Sequence, residues 1–178
     1  IAKDDVLPRS TDVVVIGAGI IGVSAALTLA ERGISVVLIE KGVISGEQSS
    51  RNWGWCRQQG RDPRELPLII ESLRLWRELN QRIEEETGFR QCGVVYLART
   101  AADLEAREAW LDLVKSYGVD SRLVGRRELD QLLPGSAVPC AGALFTPSDG
   151  RAEPALAVPA MARAARRRGA IVLEKTAA

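Results

Sequence analysis

Three glycines at the spacing G-x-G-x-x-G, in Gly17-Ala18-Gly19-Ile20-Ile21-Gly22, carry the clearest chemistry in the sequence. Such a segment can receive a pyrophosphate. Gly17 permits a tight turn, Gly19 leaves the backbone open to a phosphate, and Gly22 lets a helix pack close to the strand before it. A helix beginning at Ile20 would turn its free N–H groups and partial positive charge toward the phosphates. Glu40 follows at close to the expected separation of about 20 residues and can accept from both hydroxyls of an adenosine ribose. Its charge would repel a 2′-phosphate, which argues against NADP. The fingerprint alone does not separate FAD from NAD.

A second polar segment follows, Lys41-Gly42-Val43-Ile44-Ser45-Gly46-Glu47-Gln48-Ser49-Ser50-Arg51-Asn52-Trp53-Gly54-Trp55-Cys56-Arg57. A polar loop this long inside a domain is usually functional or disordered. Its hydroxyls and Arg51 suit phosphate and polyol, and Gly54 would allow close approach to a flat ring.

The surrounding pattern supplies the elements that must hold these residues. Thr11 to Ile16 is an apolar, valine-rich run suited to a buried parallel strand. Ile20 to Glu31 reads as a helix with small residues on one face, stopped by Arg32-Gly33. Ile34 to Ile39 is a second strand, so the fingerprint sits in a β-α-β unit. Asp62-Pro63-Arg64-Glu65 opens a long helix running toward Glu86, with Leu66, Ile69, Ile70, Leu73, Trp76, Asn80 and Ile83 largely on one face. Strands are expected at Gly93–Ala98, Ser121–Val124, Ala141–Thr146 and Ala170–Glu174. Helices are expected from the Thr100 cap to about Tyr117, over Arg126–Leu133, and between Glu153 and Arg168, where Pro159 would kink an interior. The Arg163, Arg166, Arg167, Arg168 cluster is most simply a helix C-terminus complementing its dipole.

Composition removes several function classes. With 178 residues, 46% of them apolar and 26% charged, the chain can build an ordinary globular core. A net charge of +1 gives no field that favours a polyanion, so nucleic acid is not expected as a partner. The apolar stretch from Val13 to Ile21 is too short and glycine-rich to span a bilayer, so membrane association is expected only through an electron acceptor. The sequence contains no histidine, which removes Ser-His and Cys-His chemistry and most zinc sites from this chain. Cys56, Cys92 and Cys140 have no metal spacing and read as free thiols of a reducing, cytoplasmic compartment. The opening residues lack the charged start and apolar core of a signal peptide, and the absence of an initial Met suggests trimming.

The loop after Glu40 resembles the D-amino-acid oxidase and sarcosine oxidase family. That family follows its ribose acid with a Ser-containing, glycine-rich loop and a conformationally special glycine, and Ser49-Ser50-Arg51-Asn52-Trp53-Gly54 is similar. The helix from Pro63, the Arg126-Arg127-Glu128-Leu129 segment through Pro134, and Asp149-Gly150-Arg151 through Pro154 look like later family elements. The resemblance implies an α/β fold: a Rossmann-like, glutathione-reductase-type FAD-binding domain with part of an α+β substrate domain. The expected division is a leader at 1–10, FAD-binding parts at 11–90 and 149–178, and a substrate-domain part at 91–148.

The resemblance further implies extended FAD, with its adenosine end at Glu40 and Lys41 and its pyrophosphate at Gly17, Gly19, Ile20 and Gly22. Ser49, Ser50 and Arg51 would line the pyrophosphate and ribityl chain, and Asn52, Trp53 and Gly54 would approach the ring. Arg57 stands where relatives hold a substrate carboxylate, and its planar fork matches one; Arg61 and Arg64 compete for that role. Trp55 is expected in the core. The implied reaction is hydride transfer from the α-carbon of an amine or amino acid to the flavin, followed by imine hydrolysis. A non-catalytic FAD- or nucleotide-binding subunit and an enzyme acting on glycerol 3-phosphate stay open as alternatives. Family members continue beyond the last strand, so a further segment or partner subunit is expected to complete both sheets, with Val14 and Val37 inside the shared fold.

Overall fold

β-branched runs and small-residue helices set the architecture. The computed structural model describes residues 6–178; residues 1–5 of the expected leader lie outside the described residues. In chain order the elements are β1 (Val13–Ile16), α1 (Ile20–Glu31), β2 (Val36–Ile39), β3 (Trp55–Cys56), α2 (Leu66–Ile83), β4 (Val94–Ala98) and α3 (Ala101–Val114). They continue with β5 (Arg122–Val124), α4 (Arg126–Leu132), β6 (Gly142–Thr146), β7 (Gly150–Arg151), α5 (Pro154–Arg167) and β8 (Ile171–Leu173). The chain forms two compact units, one of residues through Gly54, 78–89 and 152–178, the other of 55–77 and 90–151.

In the first unit a parallel sheet has the order β1-β2-β8. Every residue of the central β2 is buried, as expected of a strand covered on both faces. Val37, Ile39 and Leu173 form a core cluster in the sheet. The helix α1 buries Val23, Ala26, Leu27 and Ala30 and packs on α5, which buries a run of alanines with Val158 and Met161. Small side chains on both helices let them approach closely. Val37 is 1% exposed, but Val14 is 54% exposed, because β1 lies at the end of the sheet order with β2 as its neighbour.

Two helices depart from the sequence pattern. A tight turn at Pro63–Glu65 precedes α2, held by the Asp62 carboxylate accepting the Arg64 N–H at 2.9 Å. The helix then ends at Ile83 rather than near Glu86, because Glu84 takes a left-handed φ of 55°. Within α5, Pro159 is accommodated and the helix runs through it. The arginines that follow have specific partners rather than only a dipole to complement. Arg163 and Arg167 pair with Glu85, Arg168 pairs with Glu31 at 3.2 Å, and Arg166 donates to the Val172 carbonyl at 2.8 Å.

The second unit is built on an antiparallel sheet of order β4-β6-β5. Val124, Leu129 and Ala143 form its core cluster, with Val95, Leu97 and Phe145 packed around them. Thr100 and Asp103 form a reciprocal capping box at the start of α3. Residues 55–77 pack with this unit, although the sequence pattern ran the first domain on to residue 90. Hydrogen bonding explains the difference. The Asp149 carboxylate accepts the Gln58 N–H at 2.7 Å and the Gln59 N–H at 3.0 Å. The fully buried Gln59 side chain donates to the Leu144 carbonyl and to Thr146.

Candidate cofactor and substrate sites

The turn after β1 brings the glycine fingerprint and Glu40 together. Gly17 has a φ of 97°, a left-handed value that only glycine adopts without strain. Its N–H donates to the Ile39 carbonyl at 2.8 Å, which fixes the turn against the end of β2. A Cβ on Gly22 would lie 1.9 Å from the Gly17 carbonyl oxygen, so the close helix–strand contact requires glycine. The N–H groups of Ile21 and Gly22 have no intrahelical acceptor at the start of α1.

Glu40 is buried and both of its carboxylate oxygens are engaged. One accepts the Gly42 N–H at 2.7 Å and the other the Ala18 N–H at 2.8 Å. These backbone donors, Gly42 first, hold its pKa below the ordinary carboxylate value. An ionised carboxylate offers about four acceptor positions, so two remain for ribose hydroxyls. Beside it lies a cavity of about 350 Å³ lined by Ile16, Gly17, Ile39, Glu40, Lys41, Glu47 and residues 176–178. That volume is at the low end for ligand pockets, roughly 300–1,000 Å³, and suits one end of a dinucleotide rather than the whole.

The polar loop is organised differently from the expectation. The Ser49 hydroxyl accepts the Ile20 N–H at 2.8 Å and so caps the helix that was to meet the phosphates. It lies 3.0 Å from where a Cβ on Gly19 would stand. Ser50 donates to the Glu47 carbonyl, and the Asn52 amide donates to the Ser49 carbonyl at 2.9 Å while its oxygen accepts the Gly54 N–H at 2.7 Å. Lys41 and Arg51 both face Glu47, at 3.9 and 3.3 Å, as exposed pairs. Gly54 has a φ of 70°, and a Cβ there would lie 2.0 Å from the Ala152 carbonyl oxygen. Its glycine is thus already required by packing within the chain. Trp53 is 82% exposed.

Several contributors carried no signal in the sequence. The Ser45 N–H donates to the Ala18 carbonyl at 3.0 Å, Glu174 accepts the Ile44 N–H at 2.8 Å, and the Thr176 N–H donates to the Glu40 carbonyl at 2.8 Å. Glu174 and Thr176 reach the site through the return of β8, which no local pattern near Glu40 announces.

Arg57 belongs to the second unit. Its guanidinium lies 5.5 Å from the ring centroids of both Trp55 and Tyr96 and donates to the Gln59 carbonyl. Trp55 is 44% exposed and not in the core, because β3 places it beside Tyr96 and Arg57 at the surface of the unit. Arg64 is bound by Asp62 and Arg61 lies 3.7 Å from Glu65, whereas Arg57 has no carboxylate partner among the described residues. Of the three competing arginines, Arg57 is the one left available for an external anion.

Comparison with known proteins agrees with this chemistry. The model of the FAD dependent oxidoreductase family matches residues 12–178. The chain is 33% identical over 171 residues to human mitochondrial sarcosine dehydrogenase, covering 94% of this chain and 19% of that protein. It is 29% identical to sarcosine oxidase subunit beta of an Arthrobacter species, covering 93% of this chain and 43% of the relative. Among solved structures, L-amino acid deaminase from Proteus myxofaciens superposes with a TM-score of 0.93 at 31% identity, over 98% of this chain and 40% of that one. The chain belongs to the family of FAD-dependent oxidoreductases, whose cofactor is FAD, and it spans less than half the length of these relatives. The glycine turn, the Ile21 and Gly22 N–H groups without intrahelical acceptors and the buried Glu40 acceptor fit that cofactor's pyrophosphate and adenosine ribose.

Proposed function

We propose that the protein carrying this chain oxidises a small amine or amino acid, passing a hydride from the substrate to FAD. The observation that carries the reading is the Gly17–Gly22 turn locked to a buried, ionised Glu40 in a chain whose relatives include sarcosine-oxidising and amino-acid-deaminating proteins. Bound FAD supplies the two-electron acceptor. The chain's own residues bind and orient. Glu40 would hold the adenosine ribose, with Lys41 beside it. Ile21 and Gly22 would donate to the pyrophosphate. The Ser49 hydroxyl, already accepting from Ile20, keeps a proton to donate to a phosphate oxygen. Ser50, Arg51, Asn52, Trp53 and Gly54 would lie along the ribityl chain and ring.

Arg57 would hold the substrate carboxylate. Its stack on Trp55 and Tyr96 fixes the plane of the guanidinium before a ligand arrives. A substrate amine that binds neutral needs no side-chain base, which suits a chain without histidine.

The likeness to a sarcosine oxidase subunit supports a further polypeptide segment or subunit beside this chain, and the exposed Val14 and Ile16 on β1 support a surface for it. The FAD-binding role would then fall to the unit of residues through Gly54, 78–89 and 152–178, and the substrate-domain role to the unit of 55–77 and 90–151. The wide spacing of Cys56, Cys92 and Cys140 in the sequence supports a reducing, cytoplasmic compartment. The test is anaerobic bleaching of the flavin by a panel of N-methyl amino acids, D- and L-amino acids and glycerol 3-phosphate, on the complete protein. Bleaching by an amino or N-methylamino acid is expected. Bleaching only by glycerol 3-phosphate, or by nothing, would replace this reading with one of its rivals.

A further inference from the structure

A second guanidinium shares the Tyr96 ring with Arg57. The Arg107 carbon Cζ lies 5.4 Å from the Tyr96 centroid, against 5.5 Å for Arg57. The two groups are therefore no farther apart than twice that distance. All three residues lie in the second unit. The placement is tightly held. A Cβ on Gly60 would come within 3.2 Å of the Tyr96 ring and 3.7 Å of the Arg57 guanidinium. Trp110, one turn beyond Arg107 on α3, donates its indole N–H to the Arg61 carbonyl at 2.8 Å and pins that face of the helix.

These charges are not compensated from within. Neither Arg57 nor Arg107 has a carboxylate within 4.0 Å among the described residues. Asp103 feels the charge of Arg107, but its carboxylate accepts the Arg99 and Thr100 N–H groups, each at 2.9 Å. Glu65 faces Arg61. In addition, the Nε–H groups of Arg107 and Arg61 are buried without an acceptor. Two cations on one ring, neither with a carboxylate partner, form an arrangement that an anion completes, because it relieves the like-charge repulsion.

We infer that Arg107 is a specificity-determining residue that holds a second carboxylate, so that the substrate class is an amino acid or amine bearing two carboxylates. This rests on the reading of Arg57 as the holder of the first. A substrate carboxylate on Arg57 leaves Arg107 still unpaired, and a side-chain or N-linked carboxylate on the same molecule reaches it across the Tyr96 edge. A monocarboxylic amino acid fills only half of the arrangement.

The test is isothermal titration calorimetry of the complete, flavin-loaded protein with glutarate and with pentanoate, acids of equal chain length that differ by one carboxylate. Glutarate is expected to bind at least tenfold more tightly. Arg107→Gln should bring glutarate down to the pentanoate level and leave pentanoate unchanged, and Arg107→Lys should retain part of the preference. Arg57→Gln should weaken both acids. Equal binding of the two acids by the unmodified protein would overturn the proposal without any variant, as would a preference that survives Arg107→Gln. Unchanged pentanoate binding in Arg57→Gln would instead overturn the reading of Arg57 on which the proposal rests, and the two failures are read from different titrations.

Discussion

The Glu40 carboxylate accepts the backbone N–H of Ala18 at 2.8 Å, tying the end of β2 to the middle of the glycine turn. One side chain therefore shapes the glycine turn and, on the function proposed above, would also accept from the adenosine ribose. The Gly42 N–H at 2.7 Å and the Ala18 N–H keep it ionised against its burial, which alone would favour the neutral acid.

Replacing Glu40 should damage the fold as well as the cofactor site. Glu40→Ala strands two donors and is expected to cost about 2–3 kcal/mol, measured by urea denaturation. The native pKa of Glu40 is depressed, so its stabilising contribution is complete above the ordinary value of 4.5 and fades as pH falls through the lower native value. Glu40→Gln should flatten stability against pH in that acid range. An unchanged profile would show that the carboxylate is not held as described.

Glycine substitutions should rank by what a Cβ would strike. Gly22→Ala and Gly54→Ala drive the new carbon to 1.9 and 2.0 Å from backbone oxygens. Gly33→Ala, at a φ of 73°, meets nothing within 4 Å. The last should cost only the left-handed strain, about 1–2 kcal/mol, and the first two clearly more. Thermal denaturation of the three variants gives the order; equal losses would contradict the close contacts.

Arg57→Ala should weaken substrate while the flavin stays bound. Loss of a charge-assisted fork is expected to raise KM roughly a hundredfold, on the order of 2–3 kcal/mol. The flavin spectrum and the steady-state KM are read on the same preparation. An unchanged KM would remove Arg57 from the substrate site.

Asp149 organises the second unit from a fully buried position. Burial is the largest influence on it and raises its pKa, while the Gln58 and Gln59 N–H groups oppose that rise. An acid with a raised native pKa makes the fold less stable as pH rises from the ordinary value through the native one. Its hydrogen bonds nonetheless hold residues 58 and 59 in place. Asp149→Ala should cost about 2 kcal/mol or more by leaving those donors without an acceptor. A chemical-denaturation midpoint equal to that of the parent protein would refute this role.

The geometry of the glycine turn proposed to hold the nucleotide was legible in the sequence because it is local. A glycine at a positive φ, a glycine under a carbonyl and an acid at the end of the next strand each act within one β-α-β unit, so type and spacing suffice. The valine-rich strands and the Thr100 cap were readable for the same reason. Tertiary structure decided where the partners lie across the chain. Glu174 and Thr176 reach Glu40 only because β8 returns beside β2. Ser49 turned out to cap α1, and Gly54 to lie against Ala152, because those contacts are made by backbone from distant segments. The same holds for Trp55, Arg57 and Arg107. Their shared contact with Tyr96 depends on packing β3, β4 and α3 together, and no periodicity along one element encodes a meeting of three.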